Sequence, residues 1–322
     1  MRGGFIGEYE VDKKSPLDRI DVSFAHYLNR RKGAAQSHLE GGIPDYAYDL
    51  DYELRQKMTA IPHFERMCRA VSGTIENRML HIINQEGLAV GPDQFPEIYQ
   101  AGVACARILG IGIPNIYVVN NVEMNAYTYA TDDASPLIVL HSGIVERMTN
   151  RELRGIIGHE CGHIHNRHSV FQNVIDILLG TMAGTIGGVL LTQAGAAAML
   201  AWSRAAEVTA DRAALICSED FEDVISGDKK LLYGAAFGEH EVQIEPLRRQ
   251  LERMLKNPTA ILELQNSHPA TARRIVAEME FMECETLYRW RPEKKQPGQV
   301  MRSKKEADMR CRKFIALLAK GK

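Results

Sequence analysis

The hydrophobic positions of this chain follow helical spacing over much of its length. Apolar residues recur at intervals of three and four from Leu50 to Ile82, which predicts helices there, and a further helix is expected from Phe95 to Leu109. The same spacing predicts a helix from Thr149 to His168. Thr149 followed three residues later by Glu152 forms a capping box, which marks the start of this helix.

Short stretches with strand-like composition lie directly before that helix. Ile116 to Asn120, Ala126 to Ala130 and Leu137 to Leu140 are rich in β-branched and aromatic residues, and the turn from Asp132 to Pro136 separates the last two. A small sheet is therefore expected beside the helix that begins at Thr149. Together these patterns predict a mainly helical α+β fold.

The second half of the chain is predicted to be helical. Helices are expected from Ser203 to Leu215, Asp228 to Phe237, Val242 to Lys256 and Ala270 to Tyr288. Beyond Arg291 apolar residues are sparse, and we expect a solvated, frayed helix.

Composition and charge suggest three regions. The 322 residues are 45% hydrophobic, which is enough for one sizeable core, and we predict one domain over residues 46–290 with an irregular N-terminal arm over 1–45. Residues 291–322 form a basic tail, with eleven Lys and Arg against three acidic residues. The formal net charge of the whole chain is only −2, and we expect no nucleic-acid partner.

The candidate chemistry lies in the helix that begins at Thr149. His159, Glu160 and His163 have the order H-E-x-x-H, so the two imidazoles share one helix face and can hold a divalent ion. Glu160 lies beside the first histidine and can act as general base for the water that the metal activates. His165 and His168 follow, but at positions off this face, which predicts surface or packing roles for both.

A catalytic zinc usually has three protein ligands, so a third must come from elsewhere. Glu207 is the best candidate. Asp211 lies four residues later on the same helix face and suits a hydrogen bond to a ligand histidine. Small residues surround the pair and allow close helix packing: Ala205, Ala206, Ala210, Ala213 and Ala214. The sequence predicts one zinc ion per chain.

These motifs resemble a known family. H-E-x-x-H followed by E-x-x-x-D is similar to the gluzincin group of HtpX, the CAAX prenyl endopeptidases and BepA-like proteases, metallopeptidase family 48. Asn125, Ala126 and Tyr127 resemble its N-A-[FY] turn and substrate edge strand, and Ser267-His268-Pro269 resembles its late H-P segment. The resemblance covers about residues 101–280.

The resemblance implies a zincin-like catalytic domain and a zinc-dependent endopeptidase acting on protein or peptide substrates, in protein quality control or processing. Besides Glu160, it implies that His268 and Arg274 stabilise the oxyanion, with Arg273 as the neighbour that stays open. Two alternatives are a latent or inactive metal-stabilised binding or chaperone-like protein, and a zinc hydrolase that acts on a small non-peptide amide.

The uncharged segment from Ile177 to Ser203 bears on location. Two bilayer crossings need about 40 apolar residues and a turn. His163 and Glu207 must reach the same ion, so the chain must leave and return on one side of any bilayer. Only 35 residues lie between His168 and Arg204, which is too few for a spanning hairpin. Short helices over the site and peripheral membrane contact, through residues 177–203 or the basic tail, stay open.

The cysteines and the N-terminus favour a cytoplasmic protein, with or without membrane association. The six cysteines are scattered and form no C-x-x-C pair, which indicates reduced thiols. The first sixteen residues contain no apolar core typical of a signal peptide.

Overall fold

The fold is mainly helical with a small sheet, as the sequence predicts. The computed structural model describes residues 38–40, 43–66, 68, 81–83, 85–130, 136–179, 193–234, 243–255 and 268–315. Its helices, in chain order, are α1 Asp49–Thr59, α2 Pro96–Leu109, α3 Ser142–Arg147, α4 Asn150–Asn166, α5 Ser169–Leu179, α6 Gln193–Cys217, α7 Phe221–Tyr233, α8 Ile244–Leu255, α9 Thr271–Met282, α10 Glu285–Trp290 and α11 Lys304–Ile315.

The sheet lies beside α4 and has four strands. β4 (Asn115–Val119) and β6 (Leu137–His141) are its buried parallel centre, β3 (Leu88–Ala89) pairs with β4, and β5 (Ala126–Tyr129) pairs antiparallel with β6. The order β3-β4-β6-β5 leaves β5 at an edge. A separate ladder joins β1 (Leu39–Glu40) to β2 (Ile43–Pro44).

The predicted start of α4 is confirmed in atomic detail. The Thr149 hydroxyl accepts a hydrogen bond from the Glu152 amide, and the Glu152 carboxylate accepts one from the Thr149 amide. The capping box satisfies two amides that the helix itself leaves unpaired. The predicted strands agree with β4, β5 and β6 to within one residue at each end.

Three predicted helix bounds are wrong. The helix expected at Ser203 begins at Gln193, and the one expected at Asp228 begins at Phe221, where the Asp220 side chain caps it. The helix expected from Ala270 to Tyr288 is broken between α9 and α10, because Cys284 forms a bridge with Arg302. Apolar spacing alone did not reveal that pairing.

The basic tail is more ordered than a frayed helix. In α11, Cys311, Phe314 and Ile315 are buried against the rest of the protein. A buried ion pair between Asp308 and Arg212 on α6 fixes its orientation, with 2.5 Å between Oδ1 and Nη2. The expectation of a solvated helix is therefore wrong for residues 304–315.

The structure describes part of the uncharged segment from Ile177 to Ser203. Its residues 177–179 end α5 and 193–203 begin α6, while residues 180–192 lie outside the described part of the chain. No helix in the described residues has both the length and the apolar character to cross a bilayer.

Candidate metal centre

Helices α4 and α6 approach each other unusually closely, because small residues line both contact faces. A Cβ placed on Gly158 would lie 2.7 Å from Cβ of Cys217, and one on Gly162 would lie 2.6 Å from Cβ of Ala213 and 3.0 Å from Cα of Ala210. Such distances are below van der Waals contact. The two glycines therefore set the separation of the helices that carry the candidate ligands.

This close approach brings the three predicted ligands together. Nε2 of His159 lies 3.1 Å from Nε2 of His163, and the Glu207 carboxylate lies 3.5 Å from His159 Nε2 and 3.4 Å from His163 Nε2. In a tetrahedral site with bonds of about 2.1 Å, the donor atoms stand about 3.4 Å apart. All three side chains are buried, and their number, chemistry and spacing fit zinc.

The hydrogen bond predicted for Asp211 is present. His159 Nδ1 lies 2.9 Å from Oδ1 of Asp211, on the opposite side of the ring from the ligand nitrogen. Burial opposes a charge on His159, but Asp211 and Glu207 outweigh it and raise the pKa of this imidazole to about 10. The site is therefore built to stabilise positive charge.

Arg274 and Arg273, the two candidate arginines, have different hydrogen-bond partners. Arg274 donates from Nε and Nη2 to the two carboxylate oxygens of Asp211, at 2.9 and 2.5 Å, and its Nη1 lies 3.6 Å from Glu207. Arg273 instead donates to the carbonyl of Phe314, 2.8 Å away, on α11. Of the two, Arg274 therefore lies at the candidate metal centre, and its two-point contact with Asp211 holds the carboxylate that is bonded to His159.

Buried carboxyl groups lie behind Arg274. Asp211, Asp228 and Glu278 bring oxygen atoms within 4.8 Å of one another, and the carboxyl groups of Asp228 and Glu278 interact directly. Burial raises the pKa of Glu278 well above its ordinary value and also raises that of Asp228. Arg274 is hydrogen-bonded to Asp211 within this group of carboxyls.

His163 also has a partner on its Nδ1 side, which the sequence did not predict. His168 Nδ1 lies 2.9 Å from His163 Nδ1, and His168 Nε2 lies 3.0 Å from Oδ2 of Asp51 on α1. The expectation that His168 is a surface or packing residue is wrong, since it is fully buried and bonded to a candidate ligand. His165 is also buried and accepts or donates a hydrogen bond with Tyr46, 2.9 Å away.

Glu160 lies beside the ligands and faces the edge strand. Thr128 Oγ1 on β5 donates to Glu160 Oε2 over 2.5 Å, a contact missed from the sequence. Of the predicted edge residues, Ala126 and Tyr127 belong to β5, and Asn125 precedes it and accepts a backbone hydrogen bond from His141. The edge strand and the candidate base are therefore physically linked.

His268 lies at the mouth of the site. Its Nδ1 is 3.2 Å from Oε2 of Glu207, and its side chain is 57% exposed, whereas the three candidate ligands are buried. Ser267, which precedes it in the predicted motif, lies outside the described residues. Although burial opposes it, His268, His159 and His163 hold the pKa of Glu207 well below its usual range, so this carboxyl is ionised.

These groups line one cavity of about 550 Å³. Its walls contain the candidate ligands, Glu160, His268 and Arg274, and the segment from Met124 to Tyr129 that includes β5. A space of this size beside an exposed strand edge can take part of an extended peptide.

Comparison with known proteins identifies the family. The model of peptidase family M48 matches residues 92–280. The plastoglobule-localized metallopeptidase 48 of Arabidopsis thaliana chloroplasts is 31% identical over 192 residues, which are 59% of this chain and 56% of that protein. Protease HtpX homologs of Ralstonia pickettii and Burkholderia multivorans are 25% and 26% identical over 213 residues, 58% of this chain and 74% of each relative.

The match to the plastoglobule relative spans little more than half of that protein's length. No solved structure matches the chain. The HtpX-like resemblance of the sequence motifs is confirmed, and the zincin-like class fits the small sheet beside the metal helix. Because the matched residues 92–280 are more than half of the 322, this chain belongs to peptidase family M48, a family of metallopeptidases.

Proposed function

We propose that this protein is a zinc-dependent endopeptidase, with one zinc ion held by His159, His163 and Glu207. The observation that carries this proposal is the convergence of two Nε2 atoms and one carboxylate at mutual distances of 3.1 to 3.5 Å. This spacing suits a metal ion, since each ring has its Nδ1 hydrogen-bonded elsewhere and its Nε2 directed at the common point.

Glu160 is the general base of the proposed reaction. Zinc, when bound, supplies a Lewis acid that lowers the pKa of water and polarises a carbonyl group. Glu160 then takes a proton from the attacking water and delivers it to the leaving amine. Thr128 supports this assignment, since its hydroxyl holds one carboxylate oxygen in place from the edge strand.

The substrate is an extended peptide that lies along β5. In an antiparallel pair, alternate residues direct their backbone groups away from the partner strand. Since Asn125 accepts from the amide of His141, this alternation directs the backbone groups of Ala126 and Thr128 away from β6. A peptide added at this edge passes the metal ligands and Glu160, which line the same cavity. Protein quality control or processing is the role we propose.

His268 is the protein group we assign to the oxyanion, and Arg274 is assigned to positioning. The His268 side chain is exposed to the cavity in which the scissile carbonyl must lie. Two nitrogens of Arg274 are already bonded to Asp211. Arg274 therefore acts on the reaction through Asp211 and His159.

Proteolysis of casein by the purified full chain, with zinc content measured on the same samples, tests the proposal. We expect cleavage that a chelator abolishes and added zinc restores. Glu160→Gln should lower kcat by about 10²- to 10⁴-fold with zinc content unchanged, as expected for loss of a general base. The matched variant Glu222→Gln, at an exposed position on α7, should match the wild type.

The outcomes separate the proposed enzyme from its alternatives. A wild-type chain that binds zinc but cleaves no protein would overturn the endopeptidase and favour the binding protein. Cleavage that survives both the chelator and Glu160→Gln would exclude this site as its source.

A further inference from the structure

A buried series of hydrogen-bonded polar groups connects the candidate metal centre to α1. It runs from His163 Nδ1 to His168 Nδ1, 2.9 Å away, and from His168 Nε2 to Oδ2 of Asp51, 3.0 Å away. His168 is 0% exposed and Asp51 is 1% exposed, so water does not compete for these bonds. The proposed reaction assigns no role to either residue.

The protein brings these groups together through two local features. Arg167, which ends α4, has φ of +60°, and this left-handed residue turns the chain so that the His168 amide bonds to the His163 carbonyl. The α1 segment is fastened to the same end of α4, since Arg55 donates to the carbonyl of Asn166 over 2.5 Å. Asp51, in the first turn of α1, thereby reaches His168.

The hydrogen bonds between His163, His168 and Asp51 allow one consistent placement of their hydrogen atoms. A histidine that binds a metal through Nε2 carries its hydrogen on Nδ1, so His163 donates and His168 Nδ1 accepts. His168 then carries its hydrogen on Nε2 and donates to Asp51, which can only accept. The other two neighbours of Asp51 are also donors: Trp202 Nε1 to Oδ1 and Thr209 Oγ1 to Oδ2, both at 2.8 Å.

We propose that Asp51 and His168 are positioning residues of the metal centre, which fix the tautomer and orientation of His163 as a ligand. This inference rests on the proposed function, because it takes His163 as a zinc ligand. Asp51 lies outside the residues 92–280 that match the family, so the proposed site extends beyond the matched residues into α1. Partners of ligand histidines commonly change metal affinity by 10- to 100-fold.

Asp51→Asn tests the order of donors and acceptors along these hydrogen bonds, with little change in the shape of the side chain. The amide offers one oxygen to three donors, since Trp202 faces Oδ1 and Thr209 faces Oδ2 together with His168. Where the amide nitrogen faces His168, His168 must accept at Nε2 and carry its hydrogen on Nδ1. That hydrogen then faces the Nδ1 hydrogen of His163, and one of the two bonds is lost. A role in packing alone predicts no such reversal.

The control is Asp45→Asn, which makes the same change at a similar site without a link to the metal. Asp45 is buried, accepts from Trp290 Nε1 over 2.7 Å and lies 3.5 Å from Nδ1 of His38. A loss of zinc affinity that follows Asp51→Asn but not Asp45→Asn is therefore due to the connection with His163.

Two measurements on the 322-residue chain test the positioning role of Asp51 and His168. Zinc affinity, from competition with a chelating dye, should weaken 10- to 100-fold in Asp51→Asn and stay at the wild-type value in Asp45→Asn. In ¹⁵N-histidine NMR spectra of the zinc-loaded protein, His168 should carry its proton on Nε2, and Asp51→Asn should move that proton to Nδ1 or broaden it between the two nitrogens.

The possible failures are distinguishable. If the wild type binds no zinc, the proposed function fails. If the wild type binds zinc and both Asp51→Asn and His168→Phe bind it equally well, the positioning role is overturned and the proposed function stands. If Asp51→Asn does not fold, His168→Phe tests the same chain: weaker zinc binding by the folded variant supports the role, and unchanged binding overturns it.

Discussion

Adding one methyl group at Gly162 should disrupt the metal centre more than the fold. Gly162 directly precedes the candidate ligand His163 in α4 and faces α6, where an added Cβ would lie 2.6 Å from Cβ of Ala213 and 3.0 Å from Cα of Ala210. Glu207 lies on α6, one turn before Ala210. Gly162→Ala therefore forces apart the two helices whose separation sets the distance between the ligands.

The structure gives the size of the effect. Carbon atoms in contact prefer at least about 3.5 Å, so α6 must retreat by about 0.9 Å at Ala213. Overpacking of this kind costs about 1–3 kcal/mol, while replacing a helical glycine by alanine returns up to about 1 kcal/mol. Metal–ligand distances tolerate only about 0.2 Å, so the displacement of Glu207 should weaken zinc binding at least about tenfold.

Zinc competition and thermal unfolding of the zinc-free protein, measured side by side, test this prediction. The control is Gly227→Ala on α7, where the new Cβ would have 3.7 Å to its nearest neighbour and should be neutral or slightly stabilising. Gly162→Ala combined with Ala213→Gly should recover part of the zinc affinity. Wild-type zinc affinity and stability in Gly162→Ala would refute the reasoning that close helix packing places Glu207.

Other substitutions test single contacts. Thr128→Val should lower kcat by about 10- to 100-fold with zinc content unchanged, since it removes a hydrogen bond to Glu160, the proposed general base. Arg274→Lys should weaken zinc binding, measured by competition, because an ammonium cannot make the two-point contact with Asp211. Although burial opposes it, Lys230 and the capping contacts hold the pKa of Glu152 below its ordinary value, so its stabilisation is present above that value and lost as the pH falls. Glu152→Gln should thus cost on the order of 1 kcal/mol at pH 7, and progressively less below about pH 4.5 in urea unfolding.

The candidate ligands could be predicted from the sequence because their spacing is local. Histidines four apart on a helix share a face, and Glu207 and Asp211 repeat that spacing. The structure brings His159, His163 and Glu207 to one point and places Asp211 against the far side of the His159 ring. What the spacing could not supply is the role of two glycines in bringing the helices together. Gly158 directly precedes the motif and Gly162 lies within it, and only the packed structure shows their contact with α6.

His168 and Asp51 were missed for a physical reason. Five residues along a continuous helix correspond to a rotation of about 140°, which would place His168 on a different face from His163. Arg167 adopts a left-handed conformation and ends that helix, so the extrapolation fails. Asp51 is separated from His168 by 117 positions, and a lone acidic residue in the first turn of a helix is normally read as a favourable terminal charge.

The end of the chain shows the limit of composition as a guide. An excess of Lys and Arg predicts a solvated tail, yet α11 contacts α9 and α6 through the few apolar residues that it has, and Asp308 pairs with a buried arginine. The domain bounds near residues 45 and 290 stay predictions.

The most direct test of the account is the zinc X-ray absorption spectrum of the zinc-loaded wild-type chain. We predict a shell of nitrogen and oxygen at about 2.0–2.2 Å, with the outer scattering of two imidazole rings and no sulfur. Sulfur scattering at about 2.3 Å would contradict it, since all six cysteines would then have to be reconsidered as ligands in place of His159, His163 and Glu207.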